Sequence, residues 1–279
     1  MSTRTLTAER PLPTVAADVP APVADPALHA RTGSALQRWA VLLYGLTVYN
    51  LFFGVFLYTV GFVSGLIVPK TLDGGVGSSL GTALAVDLAC LAVFAIQHTI
   101  MARPAFKARW TRIIPPAAER STFVLVTSLI LALTFWQWRA LPLEGALWST
   151  DGWLAITLGA VQFAGFGLVL VSTFLIDHFD LFGLRQVVLF FRKRPYTPPV
   201  FREKLIYRTV RHPLMLGFLI AFWAQPVMTP SRLLFALTVT LYICVIGLRF
   251  EERDLIAEHG DAYRDYRRRV PGLLPLVGK

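Results

Sequence analysis

The chain has 279 residues, of which 55% are hydrophobic and 16% charged, and its formal net charge is +10. This composition is too apolar for an ordinary soluble domain. The apolar residues come in long runs, which predicts membrane-spanning helices. Basic residues beside such spans account for the positive charge, and no basic patch lies on a recognisable nucleic-acid motif, so we expect no nucleic-acid partner.

Residues 1–35 are rich in alanine, threonine, valine and proline, with four prolines from Pro11 to Pro22. We expect a disordered cytoplasmic tail here. The two cysteines, Cys90 and Cys244, lie inside apolar runs. We interpret both as small buried hydrophobic residues, and we expect neither a disulfide nor a metal site.

Six apolar segments follow the tail, at about residues 39–68, 80–100, 121–138, 153–176, 214–227 and 233–248. The fifth is short for a crossing, which needs about 20 residues. Pro226 and Pro230 bracket a turn, so the last two segments predict a helical hairpin. The predicted fold class is all-α: a polytopic helical membrane protein with five to six transmembrane segments, this hairpin and a short cytoplasmic amphipathic helix.

The distribution of lysine and arginine predicts the orientation of the chain. The tail and the connections on its side of the membrane hold 24 of these residues, whereas the opposite connections hold three: Lys70, Arg139 and Arg232. Short cytoplasmic loops carry such an excess of basic residues. We therefore expect a multi-pass protein of the inner membrane with both termini in the cytoplasm.

Two polar groups border the predicted hairpin on its cytoplasmic side. Pro213 suits the first position of a helix, whose free N–H groups favour an anion, and Arg211 and His212 add donors beside it. Gly217 would allow a close approach of backbone or ligand. The alternative is that Arg211 and His212 only anchor the chain at the interface.

The adjacent acids Glu251 and Glu252 stand where the last apolar segment ends, and buried charges there need partners. One carboxylate could accept hydrogen bonds from a polar ligand. Together with Arg208 and Arg211, these acids predict a cytoplasmic pocket for a zwitterionic molecule.

The order and spacing of these groups resemble a known family. The pattern consists of Arg211-His212-Pro213, Gly217, Glu251-Glu252, Leu255, Gly260, Tyr263, Tyr266 and Val270-Pro271. It is similar to the superfamily of isoprenylcysteine carboxyl methyltransferases and phospholipid methyltransferases. The resemblance implies that this region, including Tyr263 and Tyr266, binds S-adenosyl-L-methionine. A tyrosine is usual where this chain has Met215. On this basis we divide the chain into the tail, a four-span part over 36–176 and a cofactor-binding region over 177–279.

Earlier segments narrow the resemblance to membrane-bound methanethiol S-methyltransferases. They include Gln97-His98, Glu119-Arg120, Phe135 to Trp138 and Asp177 to Gln186. The resemblance implies methylation of methanethiol to dimethyl sulfide. A thiol reacts as its thiolate, so a base must remove the proton. We name His98, His178 and Asp180 as candidate catalytic residues at the substrate end; the alternative is that they only satisfy neighbouring groups.

Three other functions stay open from the sequence. The methyl acceptor could be a lipid or a prenyl-cysteine. The chain could instead bind haem through its histidines, like membrane proteins linked to nitric-oxide reductase maturation, or act as a non-catalytic assembly factor. The sequence does not define the oligomeric state.

Overall fold

The computed structural model describes residues 33–75, 77–199 and 202–274. The expected disorder of the tail therefore concerns residues that lie almost entirely outside the described ones. The helices are α1 (Ala35–Ser64), α2 (Leu80–Met101), α3 (Pro104–Trp110), α4 (Glu119–Gln137), α5 (Gly152–Ile176), α6 (His178–Leu181), α7 (Leu184–Phe191), α8 (Pro213–Trp223), α9 (Pro230–Leu241) and α10 (Leu248–Arg269). Short 3₁₀ turns cover Pro116–Ala118 and Leu205–Arg208.

Five helical segments are long and apolar enough to cross a membrane, which confirms the all-α polytopic fold. They are Ala35–Ser64, Leu80–Met101, Pro116–Gln137, Gly152–Ile176 and Pro230–Arg269. Helix α8 has only 11 residues, or roughly 16 Å of rise, about half the thickness of the hydrocarbon layer.

The chain around α8 nevertheless follows most of α5, because it continues along α5 beyond both ends of the helix. The Tyr207 hydroxyl donates to the Ser172 carbonyl near one end of α5, and the Thr150 amide donates to the Pro226 carbonyl at the other. Two-residue strands β1 (Trp148–Ser149) and β2 (Val227–Met228) pair antiparallel beside this second contact. The chain from Tyr207 to Pro226 thus contacts both ends of α5, although its α-helical part is only Pro213–Trp223.

Close packing of α8 on α5 depends on two glycines. A Cβ atom on Gly165 would lie 2.8 Å from the Gly217 carbonyl oxygen, and one on Gly217 would lie 2.7 Å from the Gly165 carbonyl oxygen. The helix backbones therefore touch, as small residues permit in membrane helix pairs. Gly167, in contrast, has no neighbour within 4 Å of such a Cβ.

The last helical segment runs from Pro230 to Arg269 and is broken once, at Gly260, so a short polar helix follows the last span as the sequence predicts. A π-helical turn over Tyr242–Gly247 joins α9 to α10. Within α10, Gly260 has φ +57° and ψ −130°, which breaks the helix and redirects its final turns. Glycine tolerates this conformation without the steric cost of a side chain.

The main core combines residues from both of the predicted divisions, the four-span part and the region after residue 177. Its buried members include Phe62, Phe135, Trp138, Phe166 and Phe222. The division itself stays a prediction.

The prediction that both cysteines are buried is wrong for Cys244. Its side chain is exposed on the outer surface of the bundle, whereas Cys90 is half-buried. An apolar run in a membrane helix includes residues that face lipid, so hydropathy alone does not indicate burial.

Candidate functional site

Three chain segments converge where α8 begins. They are the Arg211–His212 turn, the part of α10 that contains Glu251 and Glu252, and the residues that follow α10. Pro213 occupies the first position of α8, as predicted, and His212 precedes it. The Arg211 amide donates to the Pro271 carbonyl at 2.9 Å, and the His212 amide donates to the Gly272 carbonyl at 3.1 Å. The end of the described chain thus lies across the start of α8.

Glu252 is the central acceptor of this cluster. Arg211 donates from Nε at 2.9 Å and from Nη2 at 2.5 Å to the Glu252 Oε1 atom. Arg267 lies 3.2 Å from the other carboxylate oxygen. Arg211 also donates to the backbone carbonyls of Arg267 and Val270. With both oxygens engaged and the side chain only 13% exposed, Glu252 serves to hold the three segments together.

His212 lies between the two acids and is nearly inaccessible to solvent. Its Nδ1 atom is 3.3 Å from a Glu251 oxygen, and its Nε2 atom is 3.3 Å from a Glu252 oxygen. Burial opposes the charged ring, but the hydrogen bonds and charges of Glu251 and Glu252 outweigh it and raise the pKa of His212 to about 9. His212 is therefore an imidazolium at neutral pH.

We expect this imidazolium to make the stability of the protein depend on pH. Because the pKa is about 9 in the fold and about 6.5 in an unfolded chain, the stabilisation is complete below pH 6.5 and is lost as the pH rises through 9. The shift corresponds to roughly 3 kcal/mol. Thermal unfolding of the detergent-solubilised protein between pH 6 and 10 measures it.

The control for the pH experiment is another histidine, His259, which lies on α10. His212→Gln should flatten the decline above pH 6.5, whereas His259→Gln should keep the decline of the unmodified protein. An unchanged decline in His212→Gln contradicts the assignment to His212.

Glu251 differs from its neighbour in exposure. Its side chain is 45% exposed, and one oxygen contacts His212. The carboxylate is within electrostatic range of the hydroxyl groups of Tyr207, Tyr242 and Tyr263. Glu251 is thus held in place on one side and accessible on the other, so it can accept hydrogen bonds from a ligand.

The turns of α10 after Gly260 form a C-terminal arm, residues 261–272, that packs on the segment before α8. Tyr263 and Tyr266 are buried together with Val270. The Tyr266 hydroxyl donates to the Tyr207 carbonyl at 2.6 Å. These contacts explain why the sequence pattern pairs tyrosines three residues apart: both fall on the inner face of one helical turn.

Two predicted cofactor residues lie apart from the cluster. Arg208 is exposed, and its guanidinium donates to the Glu203 carbonyl at 3.1 Å. Gly217 faces α5, where the backbone of Gly165 fills the space that a ligand would need. Their assignment to ligand binding stays a prediction that these contacts do not favour.

His98, on α2, approaches the cluster from another side of the bundle. Its ring stacks on Phe94 with the centroids 5.3 Å apart and contacts Phe123 at 5.1 Å. The Glu251 carboxylate influences it electrostatically. Its Nδ1 atom is shielded from solvent and has no hydrogen-bond partner among the described residues.

His178 and Asp180 have structural partners of their own. The His178 ring bonds Tyr49 through Nε2 at 2.9 Å and Thr173 through Nδ1 at 2.8 Å. Burial lowers the pKa of His178, which favours a neutral ring. Asp180 accepts from Arg185 at 2.9 Å and from the Tyr196 hydroxyl at 3.1 Å. These contacts fix the α6–α7 turn.

Sequence reasoning missed several residues that the fold adds to the site. They are Tyr207, Tyr242, Arg267 and the backbone carbonyls of Val270, Pro271 and Gly272. The sequence contains the basic run Arg267–Arg269, but no local pattern indicates that Arg267 pairs with Glu252. The Val270-Pro271 pair belonged to the pattern without a physical role; it positions the carbonyls that meet Arg211.

A family model described as "NnrU protein" matches residues 88–254. The curated Methanethiol S-methyltransferase 2 of Bradyrhizobium diazoefficiens is 53% identical over 86% of this chain and 92% of its own length. The Methanethiol S-methyltransferase of Mycobacterium tuberculosis is 49% identical over 86% of this chain and 98% of its own. Nurim of Xenopus laevis is 28% identical over 58% of this chain and 59% of its own. No solved structure gives a significant match. The chain therefore belongs to the NnrU family and to the methanethiol S-methyltransferases, and its five long apolar helices make it a methyl-transferring enzyme of the membrane.

Proposed function

We propose that this enzyme transfers the methyl group of S-adenosyl-L-methionine to methanethiol and releases dimethyl sulfide. We place it in the cytoplasmic membrane with both termini in the cytoplasm, as the basic loops favour. The observation that carries the proposal is the half-exposed Glu251 carboxylate, held by His212 at the start of an apolar helix and within electrostatic range of Tyr207 and Tyr242. Such a site suits a polar cationic donor and a small apolar acceptor.

The residues present fit the donor. Glu251 can accept hydrogen bonds from ribose hydroxyls or an amino group. In the first turn of α8, the amides of Leu214 and Met215 have no acceptor among the described residues, because Leu216 is the first to donate, to the His212 carbonyl. These amides and the helix dipole suit a carboxylate. Aromatic faces nearby stabilise a sulfonium cation. The donor supplies an electrophilic methyl group bonded to positively charged sulfur.

The thiol must lose its proton before it reacts. The thiolate sulfur then forms a bond to the methyl carbon while the bond from that carbon to the donor sulfur breaks, and the bonding electrons leave with S-adenosylhomocysteine. His212 is charged already and cannot accept the proton. Asp180 and His178 are engaged elsewhere. We therefore prefer His98, whose Nδ1 lacks a partner among the described residues, as the base.

The proposal is tested with the purified protein in detergent. S-adenosyl-L-methionine and methanethiol should give dimethyl sulfide in the headspace. Glu251→Gln should weaken donor binding about tenfold to a hundredfold, the value of a hydrogen bond to a charged group, with a smaller effect on the KM for methanethiol. Glu258→Gln, an exposed acid on the same helix, is the matched control. If the donor binds but no dimethyl sulfide forms, methanethiol is not the acceptor, and a lipid or prenyl-cysteine is the next acceptor to test.

The haem alternative is less favoured by the contacts. An axial histidine must present a free ring nitrogen. His98 has one among the described residues, but both nitrogens of His178 and of His212 have partners, so the pairing of His98 with either of them as axial ligands is not favoured. An absorption spectrum of the purified protein tests this separately: a Soret band would support haem binding.

A further inference from the structure

We propose that Met215 and Gly247 form the wall that limits the size of the acceptor, so that the enzyme selects a one-carbon thiol over longer alkanethiols. The inference rests on the proposed function and adds the residues that define the substrate class. A methyl group placed on Gly247 would lie 3.4 Å from the Cε atom of Met215, so these two residues face one another across α8 and the end of the π-helical turn.

Their position follows from the contact between His212 and Glu251. Met215 is three residues after His212, and Gly247 is four residues before Glu251, which is about one helical turn in each case. The two segments run antiparallel: α8 enters the bundle at His212, whereas the last helical segment leaves it at Glu251. Moving from His212 to Met215 and from Glu251 back to Gly247 therefore leads into the bundle in both cases. The apolar pair, Met215 and Gly247, lies about 5 Å deeper than the polar pair, His212 and Glu251.

The direction of Met215 is set by the packing of α8. Gly217 contacts α5, and two residues correspond to about 200° around a helix. Met215 therefore points to the side opposite α5, toward the π-helical turn. Both Met215 and Gly247 are half-buried, so part of each residue stays accessible to a small ligand. π-helical turns of this kind are frequent at functional sites.

The polar pair and the apolar pair match the methyl donor and the thiol acceptor, respectively. Charged and hydrogen-bonding groups suit the polar parts of the donor, and the thioether of Met215 with the bare backbone of Gly247 suits a methyl group and a thiol sulfur. An extra methylene in such a pocket changes discrimination by about tenfold or more. Trimming Met215 should make room for a longer thiol, and adding a methyl at Gly247 should remove room.

The test compares methanethiol with ethanethiol as acceptors for the full-length protein in detergent, using the ratio of their kcat/KM values. We expect Met215→Ala to raise the ratio of ethanethiol to methanethiol about tenfold and Gly247→Ala to lower it. Leu216→Ala is the matched control: Leu216 is also half-buried on α8 but points about 100° away, and its ratio should stay as in the unmodified protein. If Met215→Ala does not fold, Met215→Val takes its place in this comparison, with the same direction of change expected.

An unchanged ratio in the Met215 variants, or an equal rise in Leu216→Ala, overturns the inference while leaving the methyltransferase activity in place. Failure of the unmodified protein to methylate methanethiol overturns the proposed function and this inference together. The double variant Met215→Ala/Gly247→Ala gives a further check, because residues that share one space should show non-additive effects on the ratio.

Discussion

Replacement of Glu252 with alanine is expected to destabilise the protein by about 3–5 kcal/mol, the usual result of removing one partner of a buried ion pair. The variant leaves Arg211, which is 12% exposed on its side chain, and the buried His212 without their shared acceptor. Arg267 loses its acceptor as well. Because Arg211 also holds the backbone of the C-terminal arm, residues 261–272, we expect the arm to detach and methyl transfer to be lost.

Two measurements separate the loss of the arm from a loss of chemistry. Limited proteolysis should cut the arm of Glu252→Ala much faster than the arm of the unmodified protein, and thermal unfolding should occur at a lower temperature. Glu258→Ala removes an exposed acid from the same helix and should change neither. An arm that stays resistant to protease in Glu252→Ala would contradict the role we assign to this carboxylate.

A second large effect is expected from the glycine contact between α5 and α8. Gly165→Ala places a methyl group 2.7 Å from the Ala221 amide nitrogen and 2.8 Å from the Gly217 carbonyl oxygen. Both neighbours are backbone atoms that cannot move aside singly, so the helices must separate. Such overpacking typically costs about 1–3 kcal/mol or more, and it displaces the start of α8 together with the site.

Gly167→Ala is the matched control, two residues further along the same helix. Nothing lies within 4 Å of a methyl group there, and alanine favours a helix over glycine by about 1 kcal/mol. The control should therefore be neutral or slightly stabilising in thermal unfolding, and it should keep its activity. Equal behaviour of the two variants would show that the close packing of α5 on α8 does not matter for stability.

Adjacent Glu251 and Glu252 show how one sequence feature can contain two functions. Both acids follow the last apolar run, and the pattern does not distinguish them. In the fold, Glu252 binds Arg211 and Arg267, whereas Glu251 is 45% exposed and, among the described residues, forms an ion pair only with His212. Glu251→Gln is consequently the variant that reports on the donor, and a Glu252 variant reports on the architecture.

The sequence alone determined the membrane character, the approximate spans and the family. Spans are local: about 20 consecutive apolar residues suffice to cross a bilayer, so a run such as 153–176 predicts α5 to within one residue. The position of Pro213 at the start of α8 is local too, because proline lacks the amide that the first turn leaves unpaired. The spacing of Arg211-His212-Pro213 and Glu251-Glu252 indicated a site through resemblance to relatives.

Only the tertiary structure decided which of these residues meet. Arg211 pairs with an acid 41 positions along the chain and with a carbonyl 59 positions along it, and no local pattern encodes such separations. The same holds for Gly217, which contacts α5, and for His178, whose Nε2 bonds Tyr49 129 positions earlier in the chain. The charge of His212 follows only from two carboxylates that the fold brings to its ring. Hydropathy places a residue in the membrane, but its partners depend on how the helices pack, and that packing determines which polar groups form the site.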